Sequence, residues 1–175
     1  MLERTRLVLL AVAALPAFAA AQSTSPVATA FRNEEASKAK NLIAAAEAMP
    51  ADHYGYKPTP AQLSFGQVVA HLAQGNDYLC GAIGGTKAPA RDRLSDSASK
   101  DLLVARLKET FKFCDDALAS LDDSHLSDSL PFFGGRKMTR AAVMTVTVGD
   151  WADHYSQSAI YLRLNGVLPP TARKP

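Results

Sequence analysis

The strongest constraint on the fold is the repeated spacing of apolar residues at three and four positions along the chain. This spacing places apolar side chains on one face of an α-helix, and no strand-like alternation of useful length competes with it. Four segments carry the pattern and predict helices: about Thr29–Ala48, from the candidate cap Ser64 to Gly84, about Ser99–Leu121, and from near Thr139 to Leu164. Four helices with connections of this length predict an all-α four-helix bundle.

Residues 1–21 are interpreted as a secretory signal peptide. Its parts are a basic start, an apolar run and an A-x-A cleavage site: Arg4 and Arg6, Leu7–Ala19, and Ala19 with Ala21. A membrane-spanning helix needs about 20 apolar residues, and this run is shorter and is followed by a polar stretch. We therefore expect residues 22–175 to form one exported domain, periplasmic or secreted, with no membrane attachment after cleavage.

The overall composition excludes several function classes. The chain has 175 residues, a net charge of +2 and 47% hydrophobic residues, which suits a single domain with an adequate core. The nearly balanced charge argues against broad nucleic-acid binding. The sequence contains no phosphate loop, nucleophile elbow, zinc-ribbon cysteine pattern or dinucleotide fingerprint.

The two cysteines, Cys80 and Cys114, both lie among apolar residues of predicted helices. In an oxidising compartment they are the one intramolecular disulfide that the chain can form, and we favour that bond. The alternative is a pair of buried free thiols, because cysteine is also a good small core residue.

The histidines are the main candidates for chemistry. His53 and His125 lie in polar segments between helices and are interpreted as exposed loop residues. His71 lies on the second predicted helix, and rotation by 100° per residue places three polar residues near it: Gln67, Gln74 and Tyr78. A polar strip therefore borders the apolar face of this helix.

The fourth predicted helix carries a second polar strip, which consists of Asp150, Asp153, His154, Gln157 and Tyr161. Asp150 and His154 are four residues apart and stack one turn from each other. With His71 they would supply a divalent metal with two imidazoles and one carboxylate, which leaves room for water. The alternative is that a His and Asp pair merely caps the edge of the core.

The loop Leu130–Met138 is apolar, then glycine-rich, then basic. It could act as a lid in which Arg136 or Lys137 meets an anionic substrate. We favour the simpler interpretation that Phe132 and Phe133 fill the end of the bundle. Arg163 is similarly interpreted as a helix-end charge rather than a substrate clamp.

Two segments resemble the DinB-like (YfiT-like) superfamily of helical bundles: SFGQVVAHLA, which contains His71, and DHYSQSAIYLRLNGVLPP, which begins at Asp153. The resemblance covers most of the chain after residue 21 and implies the same four-helix bundle. Similar proteins carry one His on the second helix and an H-x-x-x-H pair on the fourth. Here His71 and His154 match, and Asp150 stands at the place of the first His of the pair.

The resemblance also implies a metal and an activity. It favours zinc or nickel at His71, Asp150 and His154, with manganese or iron as further candidates because a carboxylate replaces an imidazole. Similar proteins use the metal to activate a low-molecular-weight thiol or water, as thiol transferases, thiol-dependent isomerases or hydrolases. Four further residues are candidates to orient ligands around the metal, although ordinary polar packing is favoured for each of them: Gln74, Tyr78, Asp153 and Gln157.

Two alternatives to a metal-dependent enzyme with a small-molecule substrate remain open at this stage. One is a bundle that binds a metal or small ligand without turnover. The other is a structural or interaction protein with a degenerate metal site, which could form a homodimer through a helix face. The sequence assigns no catalytic residue beyond the candidate ligands.

Overall fold

A computed structural model describes residues 24–95 and 97–173, and these form a four-helix bundle with one small hairpin, as the sequence predicts for the helices. The elements are α1 (Pro26–Ala48), α2 (Phe65–Gly84), α3 (Lys100–Leu118), β1 (Ser129–Phe132), β2 (Arg136–Thr139) and α4 (Arg140–Leu164). The predicted signal peptide lies outside the described residues. Among the described helices, none is long and apolar enough to cross a membrane.

The start of α2 is fixed by a reciprocal cap at the predicted position. The Ser64 hydroxyl accepts a hydrogen bond from the Gln67 backbone N–H at 3.2 Å, and the Gln67 side chain accepts one from the Ser64 N–H at 2.8 Å. Two otherwise unpaired donors of the first turn are thereby satisfied. At the other end Gly85 adopts a φ of 67°, the left-handed conformation in which glycine ends helices.

Helix α1 begins at Pro26 rather than at the predicted Thr29, because a residue distant in sequence caps it. The Asp123 carboxylate accepts hydrogen bonds from the backbone N–H groups of Val27, at 3.0 Å, and Ala28, at 2.8 Å. A carboxylate at a helix N-terminus also interacts favourably with the helix dipole. This contact holds the first turn, whose local start signal is Ser25 followed by Pro26 at the first helical position.

Helices α2 and α4 run in opposite directions and lie side by side. The Tyr161 hydroxyl, near the end of α4, donates to the Leu63 carbonyl at 2.9 Å, just before α2 begins. At the opposite end the Arg140 guanidinium donates to the Ile83 carbonyl. The middle of α2, which carries His71, therefore faces the middle of α4.

A buried polar network sets the rotation of α4 about its axis. The Trp151 indole N–H donates to the Asn76 side-chain oxygen at 2.8 Å, and the Asn76 amide donates to the Thr110 hydroxyl at 3.3 Å. Trp151 is fully buried. Because its neighbour Asp150 is rotated by about 100° around the same helix, burying Trp151 brings Asp150 toward the surface.

The predicted disulfide is present. Cys80 on α2 and Cys114 on α3 are bonded, with their Cα atoms 5.1 Å apart and a sequence separation of 34. In the chain-entropy model a closed loop of this length stabilises the fold by about 3–4 kcal/mol. The bond ties α2 to α3 on the side of α2 that faces the core.

The segment expected to be a loop forms an antiparallel hairpin instead. Ser129 pairs with Thr139 and Phe132 with Arg136, and Gly134 and Gly135 turn the chain with φ values of 69° and 73°. Short strands that contain a proline give little sequence signal, so the expectation of no strand was wrong here.

Side chains of β1 alternate between buried and exposed positions, and Leu130 and Phe132 point into the bundle. Phe132 thus fills the bundle end as expected, whereas Phe133 is 48% exposed and does not. The Arg136 guanidinium lies 5.0 Å from the centre of the Phe132 ring and donates to the Phe133 carbonyl.

Candidate metal centre

Three candidate ligands that the sequence singled out converge on one place between α2 and α4. One nitrogen each of His71 and His154 and one carboxylate oxygen of Asp150 lie within 4.8 Å of one another. His71 comes from the middle of α2, and the other two lie one turn apart on α4. The antiparallel packing of the two helices therefore assembles a set that is dispersed in sequence.

The two histidine rings are stacked, with centroids 5.1 Å apart and planes 18° from parallel. The His71 side chain is exposed, whereas that of His154 is 12% exposed and that of Asp150 is 34% exposed. The cluster thus reaches from the edge of the core to solvent. A small molecule can approach it from the His71 side.

The hydrogen bonding of His154 leaves a nitrogen free for a metal. Its Nδ1 lies 2.9 Å from the backbone carbonyl oxygen of Asp150, which can only accept a hydrogen bond. Nδ1 of the neutral ring therefore carries the proton, and Nε2 presents its lone pair. The Asp150 carboxylate lies farther from Nδ1, at 3.6 Å, so the carbonyl is the partner of the ring.

The donor set suits a divalent transition metal. Two neutral imidazole nitrogens and one carboxylate oxygen are three protein ligands, the number found in catalytic sites that keep a position open. The backbone hydrogen bond to the non-ligating nitrogen is the usual arrangement that orients a metal-bound histidine. The residues present therefore fit a metal ion, and the chain has a His/Asp/His group able to hold one.

The four residues predicted to surround the ligands have different positions. Tyr78 packs against Phe133, with ring centroids 4.5 Å apart. Gln74 lines a cavity of about 160 Å³ together with Asp77 and Arg91.

On α4, Asp153 is exposed to solvent, and Gln157 hydrogen-bonds the Tyr161 hydroxyl. Burial raises the pKa of that hydroxyl, and the Gln157 hydrogen bond opposes the increase. The orienting roles of the four residues stay predictions.

The other two histidines lie away from the cluster, in the short turns after α1 and α3. His53 is half-buried, and its Nε2 lies 3.8 Å from the Asp52 carboxylate. His125 is exposed and lies 3.1 Å from the Asp128 carboxylate. Arg163 is an exposed charge in the last turn of α4.

Glu35 is a buried charged residue that the sequence interpretation missed. It is 1% exposed on α1, and one of its carboxyl oxygens has no hydrogen-bond partner. Burial, together with the hydrogen bond and the charge of Asp115, raises the pKa of Glu35 to about 8. The signal was its spacing, since position 35 is one turn from Phe31 on the buried face of the helix.

Comparisons with known proteins give one consistent result. Residues 37–158 match the family model of the DinB superfamily. The chain resembles a DinB-like protein from Bacillus cereus ATCC 10987, with a TM-score of 0.68 and 14% identity over 85% of this chain and 98% of that one. It also resembles the DinB-like protein YjoA of Bacillus subtilis, with a TM-score of 0.62 and 19% identity over 85% and 99% of the two chains. No curated protein matches the sequence.

Proposed function

The chain belongs to the DinB superfamily, and from this premise we propose that it is an exported metal-dependent enzyme of the thiol-transferase or hydrolase type. The observation that carries the proposal is the convergence of His71, Asp150 and His154 within 4.8 Å. Its substrate is a small molecule, and its co-substrate is a low-molecular-weight thiol or water.

Each ligand has a distinct part in this proposal. His154 binds through Nε2, and the Asp150 carbonyl holds its ring in place from the other side. The Asp150 carboxylate contributes negative charge, which partly neutralises a divalent cation. His71 closes the set from α2 and leaves the solvent side open for substrate.

A bound divalent ion would supply Lewis-acid chemistry, which lowers the pKa of a thiol or water toward neutrality. The residues of the chain do the positioning. The stacked rings limit approach to one side, and the buried Trp151 keeps the adjacent Asp150 at the surface. Zinc and nickel suit the two imidazoles best, and the carboxylate admits manganese or iron.

Export is supported by two features that are independent of the metal. Residues 1–21 have the pattern of a signal peptide, and the Cys80–Cys114 bond needs an oxidising compartment to persist. Amino-terminal sequencing of the exported protein tests this part of the proposal, and the expected first residue is Gln22.

Elemental analysis of the reconstituted protein tests the metal site. We expect one metal per chain in the native protein, measured for zinc, nickel, manganese and iron, and loss of that metal in His71→Ala and in Asp150→Ala. His125→Ala is the matched control, because His125 also lies beside a carboxylate but outside the cluster. An empty native protein, or equal loss in the control, contradicts the proposal.

Activity is tested after the metal is established. The metal-loaded protein is screened with thiol co-substrates and with hydrolysable esters and amides, and His154→Ala is the inactive comparison. If His154→Ala converts substrate at the native rate, the metal held by His154 is not needed for the reaction. If the protein holds one metal per chain but converts none of these substrates, it is a metal-binding protein and not an enzyme of the proposed type.

A further inference from the structure

The hairpin holds an aromatic ring partly at the surface, in contact with Tyr78 and Phe132. Phe133 is 48% exposed, whereas its neighbour Phe132 is 8% exposed and fills the end of the bundle. The Phe133 ring lies against Tyr78 of α2, with centroids 4.5 Å apart and planes 32° from parallel. Tyr78 therefore covers part of the Phe133 ring, and the rest of that ring is exposed to solvent.

This aromatic surface lies on the same side of α2 as the metal ligand His71. Tyr78 follows His71 by seven positions, which is two helical turns and about 10 Å along the axis. Both side chains therefore lie on one strip of the helix. A molecule bound at the metal and extended along α2 reaches the aromatic pair.

Gly75 lies between these two residues, one turn beyond His71. A Cβ atom added there would meet nothing within 4 Å, whereas one added at Gly66 of the same helix would meet the Tyr54 carbonyl oxygen at 3.2 Å. Packing thus explains Gly66 but not Gly75. Glycine inside a helix is destabilising relative to alanine, so the vacant volume at Gly75 calls for a reason.

Taking the proposed metal-dependent function as its basis, we infer that His71, Gly75, Tyr78 and Phe133 form the groove that binds the body of the substrate. The substrate class is a small organic molecule with an aromatic group about 10 Å from its metal-binding atom. The exposed part of the Phe133 ring, which Tyr78 supports from behind, packs on that group, and Gly75 leaves room for the chain that links the two ends.

An aromatic group fits this groove better than an anionic one. The nearest guanidinium on the hairpin, that of Arg136, is held over the Phe132 ring and donates to the Phe133 carbonyl at 3.2 Å. It is thus directed at the hairpin itself. The exposed part of the Phe133 ring favours aromatic or apolar contact.

The test compares two hydroxamates, which bind divalent metals through the same group. Acetohydroxamate occupies only the metal, whereas 4-phenylbutyrohydroxamate carries a phenyl ring at roughly the distance of the aromatic pair. Calorimetry on the metal-loaded native protein should give about tenfold tighter binding of the phenyl compound. Phe133→Ala and Gly75→Leu should reduce this advantage to within twofold, while acetohydroxamate binding and metal content stay unchanged.

Two control variants test whether the affinity advantage depends on the aromatic ring at position 133 rather than on any change of an exposed apolar side chain. Leu102→Ala removes an apolar side chain on α3 that is 57% exposed, and it should keep the tenfold advantage. Phe133→Trp retains an aromatic surface and should also keep it. An advantage that persists in Phe133→Ala, or an equal affinity of the native protein for both compounds, overturns the groove.

A readout without metal distinguishes failure of the groove from failure of the metal site. On adding 4-phenylbutyrohydroxamate to metal-free protein, the ring protons of Phe133 and Tyr78 should shift in NMR spectra, and acetohydroxamate should not shift them. If the chain takes up no metal but these shifts occur, the proposed function fails and the aromatic groove stands. If metal binds and no shift or affinity advantage occurs, the groove fails alone.

Discussion

Helix α2 has two faces of different character. Its inner face carries Asn76, which is 1% exposed and fully engaged with Trp151 and Thr110, and Cys80, which is bonded to α3. Its outer face carries the exposed His71 and the vacant volume at Gly75. The inner face fixes the helix by covalent and buried polar contacts, so the outer face can hold ligands that contribute little to packing.

The largest expected effect comes from removing the covalent tie of the inner face. Replacing both Cys80 and Cys114 by alanine should lower the free energy of unfolding by about 3–4 kcal/mol, because the unfolded chain gains freedom and small cavities remain. Urea denaturation measures the change. Reduction of the native protein is the matched control, and equal stability of the oxidised and reduced forms would contradict this account.

Replacing Glu35 should change the free energy of unfolding by a similar amount, but as an increase, and the increase should depend on pH. The pKa of Glu35 is about 8 in the folded chain against an ordinary value of 4.5. Between pH 4.5 and 8 the folded state therefore keeps the proton and the unfolded state releases it. The free energy of unfolding should therefore fall as pH rises from about 4.5 to 8 and level off above.

Glu35→Gln removes the carboxyl group and most of this decline. We expect the variant to be more stable than the native protein by roughly 2–4 kcal/mol at pH 8 and nearly equal to it at pH 4.5. Denaturation at the two pH values measures the difference, and Glu34→Gln is the control at an exposed neighbour. A pH-independent gain would show that the carboxyl charge is not the cause.

A smaller loss of stability is expected at Trp151, which donates a hydrogen bond to Asn76 on the inner face of α2 and is the neighbour of the candidate ligand Asp150. Trp151→Phe keeps an aromatic ring but leaves the buried Asn76 oxygen without its donor, which should cost about 1–3 kcal/mol. The adjacent Asp150 loses its fixed orientation, so metal affinity should fall as well. Urea denaturation measures the loss of stability, and metal titration measures the loss of affinity. Adding Asn76→Ala to the Trp151→Phe variant should recover little of the metal affinity.

The smallest effect on stability is expected at the outer face. His71→Ala should change the free energy of unfolding of metal-free protein by less than about 0.5 kcal/mol, because the side chain is exposed. The same change should abolish the rise in Tm that added zinc or nickel produces in the native protein. His125→Ala should keep that rise, and a large loss of stability in metal-free His71→Ala would show that His71 serves packing.

Local sequence signals predicted most of the helical framework. Ser64, Gly85 and the apolar spacing gave the bounds of α2, because capping and periodicity act within a few residues. The start of α1 was placed too late, because the Ser25-Pro26 start signal was overlooked and the Asp123 carboxylate that binds the first turn is distant in sequence. The hairpin was missed because backbone pairing and the burial of Phe132, rather than strand propensity, stabilise it.

The sequence predicted which three residues form the candidate site but not the contacts around them. The spacing of Asp150 and His154 and the resemblance of the His71 segment named the three ligands. The free Nε2 of His154 follows from a backbone contact that spacing alone does not imply. The exposed ring of Phe133 and the space beside Gly75 became visible only with α2 and the hairpin in place.

The sequence alone determined the helices, the cysteine pair and the three residues able to hold a metal, because each depends on spacing along one chain segment or on residue chemistry. The tertiary structure decided which side of α2 lies beside α4 and the burial of Glu35. These features depend on contacts between segments far apart in sequence. The antiparallel packing of α2 on α4 is the step that turns dispersed residues into one site.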